Sequence, residues 1–366
     1  MKTEDAIKIA KQFNVYGNVV ECEKHSLGLI NDTFIFITER RGIRKKYILQ
    51  KINDTVFHDV DALMKNLCAI TEFCKNKILI SGGNPDRETL TVTPTKDGKP
   101  YFICDGLGCF RVFPYIENTI THKQISSPEQ FYKCAVAFGN FALMLNDFDT
   151  TTLYATLPNF HNTQIRFDEF MKALKLDTFD RAKEVEELTD FILARRDYAN
   201  KLQNLIDNKQ IPVRVAHYDT KLNNVLFDAS SDEPVAVIDL DTVSAGSILF
   251  DFGDAVRGGA NTVNEDELDL AKVNFDLALF ESFTKGYLSV VKSFLTPVEI
   301  DNLAFSVKVI TYELGMRFLT DYLNGDVYFK TTYEKQNLQK AKVQFTLLSE
   351  MEKVYDKMLS IVEKYR

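Results

Sequence analysis

The 366-residue chain has no tryptophan, five histidines and only six cysteines. The cysteines form no C-x-x-C pair and lie at no metal-ligand spacing from a histidine, which argues against a zinc site and predicts free thiols in a reducing cytosol. No long apolar run is present, so we expect neither a secretory signal nor a membrane span. An excess of positive charge is also missing, because the net charge is −8 and the pI is near 5.3. Nucleic acid is therefore not expected as a partner.

What the chain does have is length and a change of pattern along it. A chain of 366 residues exceeds the size at which one hydrophobic core usually divides. Before Pro114, short alternating stretches predict strands at residues 19–24, 33–38 and 46–52, then a helix at 59–75 and two hairpins. After Pro114, helical periodicity predicts helices at residues 127–146, 182–205, 268–289 and 297–323, and from about 333. We therefore expect an α+β protein with an antiparallel β-sheet domain at residues 1–114 and a mainly helical domain at residues 115–366.

The most informative segment is residues 217–241, which read HYDTKLNNVLFDASSDEPVAVIDLD. It contains an H-x-D-x-x-x-x-N pattern, and an apolar strand then leads to a D-x-D pair. These residue types suit phosphoryl transfer, which requires an aligned hydroxyl, a proton acceptor and a metal that neutralises charge. We expect Asp219 to accept the proton and His217 to brace the loop. The oxygens of Asn224 and Asp239 are suited to bind Mg²⁺.

This pattern resembles the aminoglycoside phosphotransferase and choline kinase superfamily, a relative of the protein kinases. The strings HYDTKLNNVL, IDLDTVSAGSILFDFGDAVR, GLINDTF and YILQKIN look most like the N-acetylhexosamine 1-kinases, which phosphorylate the anomeric hydroxyl of GlcNAc and GalNAc. The resemblance implies a two-lobed protein-kinase-like fold, ATP and Mg²⁺ as cofactors, and a small-molecule sugar as substrate. It also gives the metal to Asp239 and not to Asp251, although Asp251 begins a D-F-G. We expect Asp251 to brace the catalytic loop, with Asp254 near it.

The N-terminal domain carries the expected nucleotide contacts. Gly28 lies in the G-x-x-N turn between the first two strands, where this fold covers the phosphates. On the third strand Gln50 and Lys51 point to opposite faces, and either could face the phosphates. The acidic partner on the following helix is also open; the candidates are Asp59, Asp61 and Glu72. Tyr115 and Ile116 have the place of the hinge whose backbone would bond the adenine edge.

Acceptor recognition is expected from Asn31 and Asp32 and, in the helical domain, from Arg317 and Tyr328. Arg317 is a charge in an apolar helical face, which is costly unless it meets a carboxylate or several oxygens. The resemblance implies that an arginine and a downstream tyrosine in this region bind the sugar, a pattern that Arg317 and Tyr328 match. The open alternatives are an ion pair of Arg317 with Glu313 or Asp321, and Tyr322 as the sugar-binding tyrosine.

The catalytic pattern does not specify the acceptor. Choline, homoserine, an aminoglycoside or another sugar stays open, and the 28 phenylalanines and 15 tyrosines would suit a choline cage. A nucleotide-binding pseudokinase scaffold is an alternative from another class. Retention of Asp219, Asn224 and Asp239 together argues against a scaffold, which needs none of them.

Overall fold

The computed structural model describes residues 1–25 and 31–366, and Gly28 lies outside them. Its strands, labelled β1 to β10 in chain order, are Asn18–His25, Asp32–Arg40, Ile43–Lys51, Phe102–Cys104, Gly108–Pro114, Thr119–Ile120, Arg214–Ala216, Val225–Asp228, Pro234–Val237 and Ser244–Gly246. Its α-helices, labelled α1 to α12, are Thr3–Ala10, Val60–Ile80, Pro85–Glu88, Pro128–Met144, Thr163–Leu176, Glu186–Leu193, Tyr198–Asp207, Ile248–Gly259, Leu277–Val291, Pro297–Leu323, Gln336–Lys353 and Tyr355–Tyr365.

The chain forms two compact units. The first unit consists of Met1–Thr121, Asp147–Pro158 and Val225–Ala245, and the second of His122–Asn146, Asn159–Asn224 and Gly246–Arg366. Antiparallel strands dominate the N-terminal region and helices the C-terminal region, which confirms the predicted α+β class. In the part of the chain that the structure describes, no helix combines the length and the apolar character needed to span a membrane.

The five-stranded sheet of the first unit is antiparallel throughout, with the strand order β1-β2-β3-β5-β4. One of its faces is apolar and includes Leu49 and Val112, which pack with α1 in a buried cluster. Side chains alternate along a strand, so the neighbouring positions point to the opposite face. Gln50 on β3 and Arg111 on β5 are cross-strand partners and therefore lie together on that opposite face.

Two later segments of the chain belong to the first unit. Residues 225–245 join it because β8 pairs with both β6 and β9. Residues 147–158 join it partly through Asn66 on α2, whose amide nitrogen donates to the carbonyl of Tyr154 at 2.8 Å and whose amide oxygen accepts from the Tyr154 N–H at 2.9 Å. The domain boundary expected from the sequence, at residue 114, places both segments in the helical domain instead.

The second unit is built around α10. This helix begins with a capping box, in which the Thr296 hydroxyl accepts from the Glu299 backbone and Glu299 accepts from the Thr296 backbone, with Pro297 as its first residue. It runs to Leu323 as predicted. Its buried residues form a core with α5, α6, α7 and α11.

Other helices differ from the predictions in where they begin and end. Residues 182–205 form a short 3-10 turn, α6 and α7 in place of one helix. The helix predicted at residues 268–289 begins later, at Leu277, because the Asp276 carboxylate caps the N–H groups of Ala278 and Leu279. The sequence analysis missed α5 and α8, and α8 contains the D-F-G letters.

Candidate functional site

The H-x-D loop of the second unit is held by α8. The Asp251 carboxylate accepts the backbone N–H groups of His217 and Tyr218, each at 2.8 Å. The Thr220 hydroxyl donates to the Asp251 carbonyl at 2.6 Å, and the Thr220 N–H donates to Asp254 at 3.2 Å. These bonds confirm the bracing role predicted for Asp251 and the placement of Asp254 beside it.

Asp251 and Asp254 are one helical turn apart and differ in electrostatic environment. Burial raises the pKa of Asp251 to about 7, against the opposing effect of the two N–H bonds from the loop. Burial would also raise the pKa of Asp254, but the charges of Arg257 and Lys221 hold it below the ordinary value. The Arg257 guanidinium lies 2.8 Å from Asp254. The brace therefore combines one ionised acid with one that titrates near neutrality.

Asp219 lies on this loop with a side chain that is 18% exposed. One carboxylate oxygen accepts from the Asn224 amide at 2.9 Å, and the other lies 2.6 Å from the Lys221 ammonium. The Lys221 side chain is 47% exposed. A hydroxyl that donates to Asp219 must therefore compete with Lys221, since Asn224 holds the second oxygen.

His217 fixes the loop from the buried side. Its ring packs edge-on against Phe138 and Phe141, and its Nδ1 accepts the backbone N–H of Asp219 at 3.2 Å. This contact is consistent with the bracing role predicted for His217, which stays a prediction. Tyr218 has a left-handed φ of 65°, and a Cβ at Gly246 would lie 1.5 Å from its hydroxyl oxygen, so only glycine fits there.

The two residues expected to bind Mg²⁺ supply suitable oxygens. The Asn224 amide nitrogen donates to both the carbonyl and the carboxylate of Asp219, at 2.8 and 2.9 Å, which directs its amide oxygen elsewhere. Asp239 follows β9 in the first unit, is exposed, and has φ 60° and ψ 58°. A carboxylate and an amide oxygen are hard donors that fit Mg²⁺, which usually takes one or two protein ligands beside waters and phosphates.

A buried network in the first unit surrounds the other member of the D-x-D pair, Asp241. Arg111 makes a bidentate ion pair with it, with Nη1 and Nη2 at 2.5 and 2.8 Å from the two carboxylate oxygens. The same guanidinium donates to the Gln50 amide oxygen at 3.0 and 2.8 Å. Asn31 donates to Asp241 at 2.8 Å and accepts from the Asn53 N–H at 2.9 Å. Arg111 is not among the residues predicted from the sequence.

The other nucleotide-site candidates have contacts of their own. Lys51 points to the opposite sheet face from Gln50, towards Gly108. The Tyr115 N–H donates to the Lys46 carbonyl at 3.0 Å, and the Ile116 carbonyl accepts from the Thr119 hydroxyl at 2.7 Å. Asp32 begins β2 and pairs with Lys24 at 3.3 Å. Their contacts with nucleotide or acceptor stay predictions.

The three acids considered as partners of the third strand do not pair with it in the described residues. Asp59 caps α2 by accepting from the Ala62 N–H at 2.9 Å. Asp61 pairs with Lys65 at 2.7 Å, and Glu72 is exposed. The ion pair that organises this region of the sheet is Arg111–Asp241, with side chains 2% and 4% exposed.

Arg317 lies in an aromatic setting on α10 of the second unit. Its guanidinium carbon is 5.0, 5.9 and 5.6 Å from the ring centres of Phe160, Tyr328 and Phe329. Burial lowers the pKa of Arg317, and the Glu313 carboxylate one turn away opposes this effect. Glu313 is therefore its main acidic neighbour.

Glu313 links this region to the H-x-D loop. It accepts from the Thr163 hydroxyl at 2.6 Å and lies 2.8 Å from His161 Nδ1. His161 Nε2 lies 3.4 Å from the carbonyl of Tyr218. Burial alone would raise the pKa of Glu313, but the charge and hydrogen bond of His161 and the charge of Arg317 hold it below the ordinary value.

Asp321 was considered as an ion-pair partner of Arg317, and Tyr322 as the sugar-binding tyrosine. Both residues have other contacts in the structure. The Asp321 carboxylate accepts the backbone N–H groups of Val327, Tyr328 and Phe329 at 2.8–3.0 Å, so it shapes the segment that carries Tyr328. Tyr322 is 1% exposed and donates its hydroxyl to Glu184. Tyr328 is 60% exposed, and its ring is the one beside Arg317.

Solved structures with the same fold are kinases of small molecules. The choline kinase of Cryptosporidium parvum Iowa II is 14% identical, with a TM-score of 0.60 and coverage of 99% of both chains. An aminoglycoside phosphotransferase of Alicyclobacillus acidocaldarius is 12% identical, with a TM-score of 0.60 and coverage of 98% of this chain and 95% of that chain. Spectinomycin phosphotransferase, solved with ADP and spectinomycin, is 12% identical, with a TM-score of 0.55 and coverage of 100% and 98%.

These likenesses show the fold, and the loop around Asp219 carries the H-x-D-x-x-x-x-N pattern. The class is thus a small-molecule phosphotransferase of the aminoglycoside phosphotransferase and choline kinase type. The model of the phosphotransferase enzyme family matches residues 21–282, and the chain belongs to that family.

Proposed function

We propose that the protein is a cytoplasmic ATP- and Mg²⁺-dependent kinase that phosphorylates the anomeric C1 hydroxyl of an N-acetylhexosamine, GlcNAc or GalNAc. The observation that carries the proposal is the H-x-D loop, in which Asp219 is part-exposed while Asp251 and His217 fix the backbone on either side of it. Phosphoryl transfer depends on positioning of this kind more than on covalent chemistry.

In the proposed reaction Asp219 accepts the proton of the acceptor hydroxyl. The oxygen–hydrogen bond breaks as the oxygen bonds to the γ-phosphorus, and the bond from the γ-phosphorus to the β–γ bridging oxygen breaks to release ADP. Asn224 holds one Asp219 oxygen at 2.9 Å, so the acceptor meets the other, where it displaces Lys221. Asn224 and Asp239 are the residues proposed to hold Mg²⁺, which would neutralise charge on the phosphates when bound.

The proposed nucleotide site consists of the residues predicted from the sequence. Tyr115 and Ile116 would bond the adenine edge, and Gly28 with Gln50 or Lys51 would serve the phosphates. Gln50 and Arg111 occupy one sheet face, whereas Lys51 points to the other. These positions can be tested separately through ADP affinity.

The surroundings of Arg317 support a sugar over choline as the acceptor. A guanidinium donates in a planar fork and therefore suits the hydroxyl and amide oxygens of a sugar, while an aromatic ring such as Tyr328 can pack on its apolar face. The aromatic rings near Arg317 already lie 5.0–5.9 Å from a cation. A quaternary ammonium in the same place would meet a like charge.

The test is a coupled ADP-release screen over N-acetylhexosamines, simple hexoses, choline, homoserine and aminoglycosides, followed by mapping of the phosphorylated oxygen by ³¹P NMR. We expect turnover with GlcNAc or GalNAc and a 1-phosphate product. Turnover with choline alone would contradict the acceptor assignment. Nucleotide binding without turnover of any acceptor would favour a scaffold.

A further inference from the structure

The segment that carries Asp239 is held by a residue outside every motif, Arg111. This arginine interrupts the apolar run CFRVFP on β5, and its side chain is 2% exposed. Within the described residues, its N–H groups donate to the Asp241 carboxylate and to the Gln50 amide oxygen. A buried guanidinium requires such partners, and the bidentate geometry fixes both the distance and the direction of the carboxylate.

Asp241 is fixed at its backbone as well as its side chain. Asn31 donates to its carboxylate at 2.8 Å, and Asn31 is itself held by the Asn53 N–H. The carbonyl of Asp241 accepts from the Thr156 hydroxyl at 3.2 Å. The position of this residue is thus determined by contacts from three separate parts of the first unit.

Asp239 lies two residues before this anchor and has a backbone that favours glycine. Its φ of 60° and ψ of 58° lie in the left-handed region, which costs free energy for a residue with a Cβ. Such a conformation persists where the surroundings enforce it. The short 3-10 turn Leu240–Thr242 follows directly, so the anchored Asp241 is part of the turn that sets the direction of Asp239.

We propose that Arg111 is a positioning residue for the metal carboxylate: by fixing Asp241 it holds Asp239 in the orientation that binds Mg²⁺. The inference rests on the metal role proposed for Asp239. A positioning role differs from a purely structural one in its effect on metal affinity. An ion pair that only stabilises the fold would not change metal affinity once both charges are removed together.

The test uses the double variant R111M/D241N, since removing one partner alone leaves an unpaired buried charge that strongly destabilises the protein. Arg195 and Glu352 form a comparable bidentate pair at 2.8 and 2.7 Å, 21% and 25% exposed, so R195M/E352Q is the matched control. Circular dichroism establishes that both variants are folded. Mn²⁺ binding in the presence of ADP is measured by electron paramagnetic resonance, and ADP binding is measured with EDTA.

We expect R111M/D241N to bind Mn²⁺ about 10–100-fold more weakly than the wild type, the loss typical of residues that orient a ligand. Its ADP affinity in EDTA should stay within about twofold, and the control should match the wild type in both measurements. R111K should lose Mn²⁺ affinity too, because an ammonium cannot replace the planar fork.

Wild-type Mn²⁺ affinity in folded R111M/D241N would overturn the inference while leaving the proposed function intact. Equal losses of ADP affinity with and without metal would also overturn it, because they would show a general defect of the unit. Absence of metal-dependent ADP binding in the wild type would overturn both the inference and the proposed metal role, so the two failures are distinguishable.

Discussion

Replacing Asp251 with asparagine should change the pH dependence of stability in a predictable direction. Burial raises the pKa of this carboxyl from 3.8 to about 7 in the folded protein. Because the folded-state pKa lies above the unfolded one, the group contributes stability that is fully present below about pH 4 and is lost as the pH rises through 7. The contribution lost between pH 5 and 8 is about 3 kcal/mol. D251N has no such titration.

The free energy of unfolding is measured by urea denaturation at pH 5 and pH 8. The difference between wild type and D251N should fall by about 3 kcal/mol over this range, whatever its absolute value at pH 5. D254N is the matched control from the same helix face. The pKa of Asp254 is held below the ordinary value, so its own stability contribution is present above that value and is lost only as the pH falls through the lowered pKa. The charge of Asp254 also raises the pKa of Asp251, but more weakly than burial does, so the wild-type minus D254N difference should change far less between pH 5 and 8 than the D251N difference.

Turnover should rise over the same pH range in which the stability contribution of Asp251 is lost. Only the ionised Asp251 can accept the N–H groups of both His217 and Tyr218, so turnover should rise as this carboxyl ionises near pH 7. D251N accepts through one oxygen only and should lack that rise. An unfolding difference that is equal at both pH values, or an unchanged pH–rate profile in D251N, would refute the reasoning.

Three further predictions concern turnover. D219N should lower kcat about 10²–10⁴-fold and leave the ADP dissociation constant within about twofold by calorimetry, and near-normal turnover would remove Asp219 from the mechanism. D239A should lose Mg²⁺-supported activity in a metal titration far more than D251N, and the reverse ranking would mean that the wrong aspartate was chosen. R317M should raise the acceptor KM about tenfold or more with an unchanged ATP KM in steady-state kinetics, because the donor fork proposed to bind the sugar is lost. R195M, which removes an arginine that packs on an aromatic ring elsewhere in the unit, should leave the acceptor KM unchanged.

The sequence predicted those parts of the site whose spacing is local. The brace of Asp251 and the start of α10 each depend on residues within about thirty-five positions of one another, and the structure confirms both. The long helix predicted at residues 182–205 failed because its periodicity continues across residues 194–197, where the chain leaves the helix. Periodicity reports which face is apolar and not whether each backbone bond is made.

Arg111 could not be placed from sequence because its meaning depends on pairing between distant strands. It faces Gln50 only through the register of β3 and β5, and it meets Asp241 after 130 further residues. A signal was nevertheless present, since a charge within the run CFRVFP violates the apolar pattern in the same way as Arg317 does on α10. Glu313 on the same helix gave a similar signal and proved to be the link between Arg317 and His161.

The D-F-G letters show why a motif has to be judged by its backbone. Asp251 is 6% exposed on the first turn of α8, and both of its carboxylate oxygens already accept backbone N–H groups. A metal ligand needs an accessible lone pair, which an acid in this position does not offer. Asp239 is exposed, directly follows a strand and holds a left-handed conformation beside a buried anchor. The same residue type therefore occurs in opposite settings twelve positions apart: Asp251 is buried and fixes backbone, and Asp239 is exposed, as the proposed metal role requires.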